Sequence, residues 1–186
     1  MENFKVSSLN RYTLIIKQFS LSGCYKLKNI EIPLNTQLKK IGRHAFSSSL
    51  IESISIPTSV ELMDNWCSRT SKLIKVNLIP RKEKNIGYYK NKFIIGKTNP
   101  KQDNFNVFLF APRNTKSFRF PSFITEIKEY SFSDSSIQYL FISDQITHIP
   151  ELALKKCNSL NTIEFSPKSQ LNIIDNHLFG FLPIGE

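Results

Sequence analysis

The feature that most limits what this chain can fold into is a pair of apolar residues, two positions apart, that keeps returning at one interval. The pairs are Ile30/Ile32, Ile54/Ile56, Val76/Leu78, Phe118/Phe120, Leu140/Ile142 and Ile163/Phe165. Their first members advance by 24, 22, 42, 22 and 23 residues, so the long step is close to two periods and hides a disguised unit. Three positions ahead of the clean pairs stand Leu27, Ile51, Leu73, Ile137 and Leu160. Directly behind them come Pro33, Pro57 or Pro121, with Ser143 and Ser166 in the same slot. The second half of the unit recurs too. PLNTQLKKIGRHAF (33–46) matches SPKSQLNIIDNHLF (166–179), and PSFITEIKEYSF (121–132) keeps Ile124, Ile127 and Phe132. Cys24 and Cys157 also share a slot. A period of this length belongs to one coil of a solenoid rather than to a single helix or strand.

Each coil is physically interpretable. The L-x-x-I-x-I segment reads as a short strand whose isoleucines face the core. Proline ends it, having no N–H for a further ladder bond and a fixed φ. The chain then turns, drops an Ile and the A-F pair into the core from the opposite side, and returns through a Ser-rich turn. One such coil cannot bury its own apolar face, so stability has to come from stacking on neighbours.

Composition agrees with a packed chain. Its 186 residues are 40% hydrophobic and include 15 Phe, which permits a sizeable core and excludes disorder. Apolar runs such as TLIIK (13–17) and VFLF (107–110) fall far short of the roughly 20 residues of a spanning helix. The start, MENFKVSSLN, shows no apolar leader core, and N-x-S/T is absent, so the default compartment expected is the cytoplasm. Three separated cysteines without C-x-x-C spacing argue against a zinc, redox or disulfide framework.

The quoted segments, together with SGCYKLKNIEIP, IGRHAF and KKCNSLNTIEF, resemble the BspA-like leucine-rich repeat, whose pattern is C-x-x-L-x-x-I-x-I-P-x-x-V-x-x-I-x-x-x-A-F. The resemblance covers nearly everything beyond residue 19. LFAPRNTKSFRFPSFITEIKEYSFSDSSI is similar to versions found in anaerobic protists, in which an A-P-R-N step leads into a regular coil. The resemblance implies a leucine-rich-repeat solenoid with a curved parallel sheet on the concave face and short strands and helical turns on the convex face. It also implies a surface antigen or adhesin that binds other proteins, and so a place at the cell surface. Residues 1–18 are expected to be an N-terminal cap or atypical repeat and 19–186 the solenoid. In the third coil Trp66 takes the Ala slot and Cys67 the Phe slot, and Leu154 replaces Phe in ELALKKC, which predicts local repacking.

Residues 81–112 break the rhythm. KFII (92–95) and VFLF (107–110) are β-prone runs joined by the turn-rich GKTNPKQDNFN, which predicts a hairpin-like insertion replacing the convex part of one coil. Most of the excess charge is here: between Arg81 and Lys101 stand seven cations against Glu83 alone, within a formal net charge of +10.

Catalytic chemistry finds no support. Gly96-Lys97-Thr98 lacks the glycine that a phosphate loop needs five positions earlier, where Asn91 stands. His44 and His177 share a repeat slot and are expected to point outward on different coils. His148 falls on another coil, away from both, and Cys67 fills a core slot. No catalytic, cofactor-binding or metal-binding residue is expected, and no small-molecule substrate.

Binding would use the outward strand positions. These are Asn29, Ser53, Lys75, Ser117, Tyr139 and Thr162 in one row, and Glu31, Ser55, Asn77, Arg119, Phe141 and Glu164 in the next. Tyr139, Phe141 and Arg119 stand out as partner-anchoring types, with Lys75 and Asn77 beside them in the same rows. The function expected is a non-enzymatic protein-binding module. The alternative is a binder of acidic lipid, glycan or nucleic acid through Arg81, Lys82, Lys84, Lys90 and Lys92, with nucleic acid the less favoured partner. The run HLFGFLPIGE has no polar final coil, so the expectation is either a fragment of a longer repeat protein or self-association at that end.

Overall fold

The computed structural model describes residues 11–62 and 65–178, and these residues form fifteen short strands and no helix. In the first half, β1 (Ile15–Ile16), β2 (Asn29–Ile30), β3 (Lys40–Ile41), β4 (Ser53–Pro57), β5 (Glu61–Leu62) and β6 (Lys75–Ile79) alternate between two sides of the coil. β2, β4 and β6 make one parallel sheet, and β1, β3 and β5 another. An insertion of β7 (Ile86–Tyr89), β8 (Phe93–Gly96) and β9 (Val107–Phe110) follows. The coil then resumes with β10 (Ser117–Arg119), β11 (Glu126–Ile127), β12 (Tyr139–Ile142), β13 (His148–Ile149), β14 (Thr162–Phe165) and β15 (Ile173–Ile174). Here β10, β12 and β14 repeat the first sheet, while β13 pairs with β15 on the second side.

The apolar pairs set the register. Ile30 lies beside Ile54 and Ile54 beside Val76; Phe118 lies beside Leu140 and Leu140 beside Ile163. Identical slots therefore stack on each other, which is why a single coil length has to be kept. Gly42 of the I-G step shows how close the coils come. A Cβ there would lie 2.6 Å from the Gln18 backbone nitrogen of the preceding coil, and the Gly42 N–H donates to Ile16 C=O at 2.8 Å.

The third side of the coil departs from the expectation of helical turns. Coil after coil carries residues in the left-handed region four positions apart, all but one of them non-glycine: Phe19 and Gly23, His44 and Ser48, Asn65 and Arg69, Tyr130 and Asp134, Leu152 and Lys156. A left-handed residue at both ends of a four-residue arc stops the run of local hydrogen bonds that a helix requires. Local turn bonds such as Ser47 N–H to His44 C=O therefore alternate with backbone N–H groups that point sideways to the next coil. Phe46 N–H donates to Trp66 C=O at 3.0 Å, Ser48 N–H to Ser68 C=O at 3.1 Å and Phe132 N–H to Ala153 C=O at 3.0 Å. The side is thus a ladder of turns between coils, and helical geometry would have broken it.

The insertion is a three-stranded antiparallel meander, with β7 added to the two strands expected from KFII and VFLF. Lys90 and Asn91 both have positive φ and form the tight loop between β7 and β8. β9 also pairs in parallel with β11, so the meander enters the second side of the solenoid. Every residue of β8 is buried. Ile94 packs into the N-terminal core with Phe110, Trp66 and Phe46, whereas Phe93 and Ile95 pack into the C-terminal core with Phe108, Phe118 and Phe132. β8 is a partition with a core on each face, and a strand covered on both faces needs an unbroken apolar run such as FII.

Removing one coil leaves ladder groups without partners, and side chains take them over. The Tyr88 hydroxyl donates to Val76 C=O at 2.7 Å and accepts from Leu78 N–H at 3.0 Å, closing the edge of β6. Buried Arg113 spans the gap on the turn side. Its guanidinium donates to Cys67 C=O at 3.1 Å and Ser131 C=O at 3.3 Å, and lies 4.8 Å over the Phe110 ring. Thr58 completes the set, its hydroxyl accepting from Arg81 N–H and donating to Glu83 C=O. Trp66 fills the space beside the gap, 6.1 Å from Phe46 and 6.0 Å from Phe110, and this accounts for its large ring in an alanine slot. The C-terminal run from Phe179, on which self-association was expected, lies outside the described residues.

Candidate functional site

The strand-face site is built on the sheet of β10, β12 and β14. Strand alternation buries Phe118, Leu140 and Ile142 and leaves Arg119, Tyr139 and Phe141 on the other face. Parallel register places Arg119 beside Phe141, with Glu164 next in the same row. The Arg119 guanidinium lies over the Phe141 ring, 3.9 Å from its centroid, and 5.8 Å from that of Tyr139. Arg119 Nη1 donates to the Tyr139 hydroxyl at 2.5 Å, and that hydroxyl donates to Glu164 Oε2 at 2.5 Å. The hydrogen bond to Glu164 raises the Tyr139 pKa, since losing the proton would abolish it. The hydroxyl's one proton is committed to Glu164, so its lone pair faces Arg119 and fixes the guanidinium in place.

Of the five residues expected to form this surface, three come together. Lys75 and Asn77 lie on β6, in the other sheet, where Asn77 Nδ2 donates to Ser55 Oγ at 3.4 Å and Tyr88 closes the strand edge. Sequence reasoning does not single out Glu164, although its place in the row could suggest it: a carboxylate two coils from an arginine, with a tyrosine between.

The basic segment is divided by its fold. Lys90 and Lys92 sit at the hairpin tip, over the rings of Tyr89 at 5.3 Å and Phe93 at 5.0 Å. Lys82 and Lys84 precede β7 and so belong to the opposite end, one strand of four residues away, about 13 Å. Arg81 is turned back onto the first half of the chain, its Nη2 donating to Leu34 C=O and Nη1 to Pro80 C=O. The five do not make one patch.

The remaining reactive side chains are engaged in structure. The Cys67 thiol, fully buried, is pushed up to about 11 by that burial, and Cys157 Sγ donates to Phe132 C=O at 3.1 Å. His44, expected to face outward, lies half-buried and flat against Phe19 at 5.1 Å, with Nδ1 2.9 Å from Ser68 Oγ. His148 Nε2 is 2.9 Å from Asp175 Oδ2. Among the described residues no group of three His, Cys, Asp or Glu is placed to hold a metal, and no helix is long and apolar enough to cross a membrane.

Several solved structures share this fold. The pneumococcal vaccine antigen PcpA superposes with a TM-score of 0.74 at 20% identity, over 87% of this chain and 39% of that one. A leucine-rich cell surface protein from Faecalibacterium prausnitzii A2-165 gives 0.54 at 14% identity, over 86% of this chain and 59% of that one. A leucine-rich repeat protein from Eubacterium ventriosum ATCC 27560 gives 0.53 at 14% identity, over 90% of this chain and 64% of that one. The chain thus spans less than two thirds of the length of each of these proteins. Comparison with curated protein sequences gives no match. The family model for the BspA type leucine rich repeat region matches in six copies, over residues 1–93 and 97–185. Repeat, register and family model agree, and the chain belongs to the BspA-type leucine-rich repeat family.

Proposed function

We propose that this chain is a non-catalytic protein-binding module of adhesin or scaffold type that engages its partner through the outward face of β10, β12 and β14. The observation that carries the reading is the pre-set group of Arg119, Tyr139 and Phe141: two aromatic rings and an arginine, held by each other on an open sheet. Aromatics and arginine are the residue types that dominate interface energetics, and an ordered side chain loses less entropy on binding. The solved relatives include a vaccine antigen and a cell surface protein, which supports a role in contact with other macromolecules.

The test is affinity capture by the wild-type chain, by Tyr139→Ala/Phe141→Ala and by Asn77→Ala, with circular dichroism to check folding. The proposal expects the double variant to stay folded and lose its partners while Asn77→Ala keeps them. Equal capture by all three would remove this face from consideration. A polyanion role for the basic segment is the lesser reading, because its lysines sit at two ends of a hairpin.

A further inference from the structure

The arrangement around Arg119 also says what chemistry a partner would bring. This inference rests on the reading of the β10–β12–β14 face as the binding surface. One arm of the guanidinium, Nη1, is used by the Tyr139 hydroxyl. The plane of the group is fixed by Phe141 beneath it. Among the described residues no carboxylate lies within ion-pair distance of Arg119, and no acceptor takes Nε–H or Nη2–H. Glu164, the acid in the same row, is two strands away and is engaged by Tyr139. An arginine is thereby left oriented, flat and half-used, with the side-on edge that forms two parallel hydrogen bonds still open.

We propose that this open edge receives a carboxylate from an acidic segment of a partner protein. A planar carboxylate matches the Nε–H/Nη2–H fork in both spacing and charge. The chain as a whole is strongly basic, with a formal net charge of +10, which favours an acidic partner. The aromatic platform lowers the cost of ordering the arginine, so the free fork is presented without rearrangement. Tyr139 acts as a positioning residue: it touches Arg119 and sets its angle, and the ligand is held by Arg119.

The probe is a capped tetraglutamate peptide, compared with a capped tetraglutamine peptide and a heparin tetrasaccharide, followed by NMR at the Arg119 Nε–H resonance of the 186-residue chain. The tetraglutamate should shift that resonance saturably, the tetraglutamine should not, and Ser53 and Ser55 amides on the other sheet should stay still. Arg119→Lys keeps the charge and loses the fork, and should weaken tetraglutamate binding about tenfold. Tyr139→Phe frees the guanidinium to rotate and should weaken it by a smaller factor while leaving the fold intact. A response to tetraglutamine equal to that of tetraglutamate, or to heparin alone, would overturn the proposal, as would Arg119→Lys binding as well as wild type. If capture depends on Tyr139 and Phe141 but tetraglutamate has no effect, the carboxylate claim alone fails. If the double variant keeps its partners, the face itself is wrong and the carboxylate claim falls with it.

Discussion

The two halves of the strand face have the same backbone and different contents. β2, β4 and β6 present Asn29, Ser53 and Lys75 in one outward row and Ser55 and Asn77 in the other, and they bury Ile30, Ile54 and Val76. β10, β12 and β14 present Tyr139, Phe141, Arg119 and Glu164 and bury Phe118 and Leu140. The cores differ in the same sense. The first is mainly isoleucine and leucine, whereas the second begins with a packed group of rings: Phe108 on Phe132 at 4.9 Å, Phe93 on Phe118 at 4.5 Å and Phe118 on Phe120 at 4.9 Å. Where slots stack on identical slots, aliphatic side chains fill the space. Where β8 and β9 replace a coil, larger rings are needed to reach across. The repeat fixes which positions are apolar, and the local departure from it fixes their size.

The sharpest way to break this comparison is Phe132→Ala. Its ring stacks on Phe108 and is almost wholly buried, so thermal or urea melting should show a loss of about 3–5 kcal/mol. An unchanged midpoint would mean that the rings do not carry the second core. Next comes Arg113→Ala, which leaves the carbonyls of Cys67 and Ser131 without this donor and should cost about 2–3 kcal/mol. Because Arg113 joins the two halves, its loss should split the melting curve into two steps, and a single shifted transition would argue against that linkage. Tyr88→Phe removes only the hydroxyl that closes β6 and should cost about 1 kcal/mol. Hydrogen exchange at the Leu78 amide should quicken while that at Leu140 does not.

The smallest effect is a pH dependence confined to the turn side of the first half. Burial holds the His44 pKa below its usual value of 6.5, with Arg43 and Arg69 adding repulsion. The unfolded chain therefore binds this proton more readily than the folded one. Stability should fall as pH drops through 6.5 and level off once the folded imidazole is also protonated. Comparing melts of wild type and His44→Gln from about pH 8 to pH 5 isolates this contribution, since the variant should lose that part of the slope.

Much of the fold was legible because the information is periodic. The pairs Ile54/Ile56 and Leu140/Ile142 define strand, facing and register together. The turn side was not legible, since nothing in the residue types of His44, Tyr130 or Leu152 marks a left-handed backbone; neighbouring coils impose it. β7 escapes a sequence reading because IGYY is short and its tyrosines serve β6 and the ring cluster rather than an alternating face. Tyr139, Phe141 and Arg119 could be picked out as types in outward slots, but the hydrogen bonds that order them depend on cross-coil register. Lys84 and Lys90 show the reverse case, for they are close in sequence yet flank β7 and so lie at opposite ends of the hairpin. Arg113 reads in sequence as part of a connecting step, and its burial follows only from the carbonyls left by a missing coil.

The in-register stacking of the strands has a metric consequence for recognition. Equivalent side chains on successive coils recur about every 4.8 Å, whereas same-face side chains along an extended peptide recur about every 6.7 Å. Two rulers with those gradations drift apart within a few marks. A polypeptide laid across the coils cannot satisfy every row at once, and its hold would concentrate on one or two well-spaced anchors with slack chain between them.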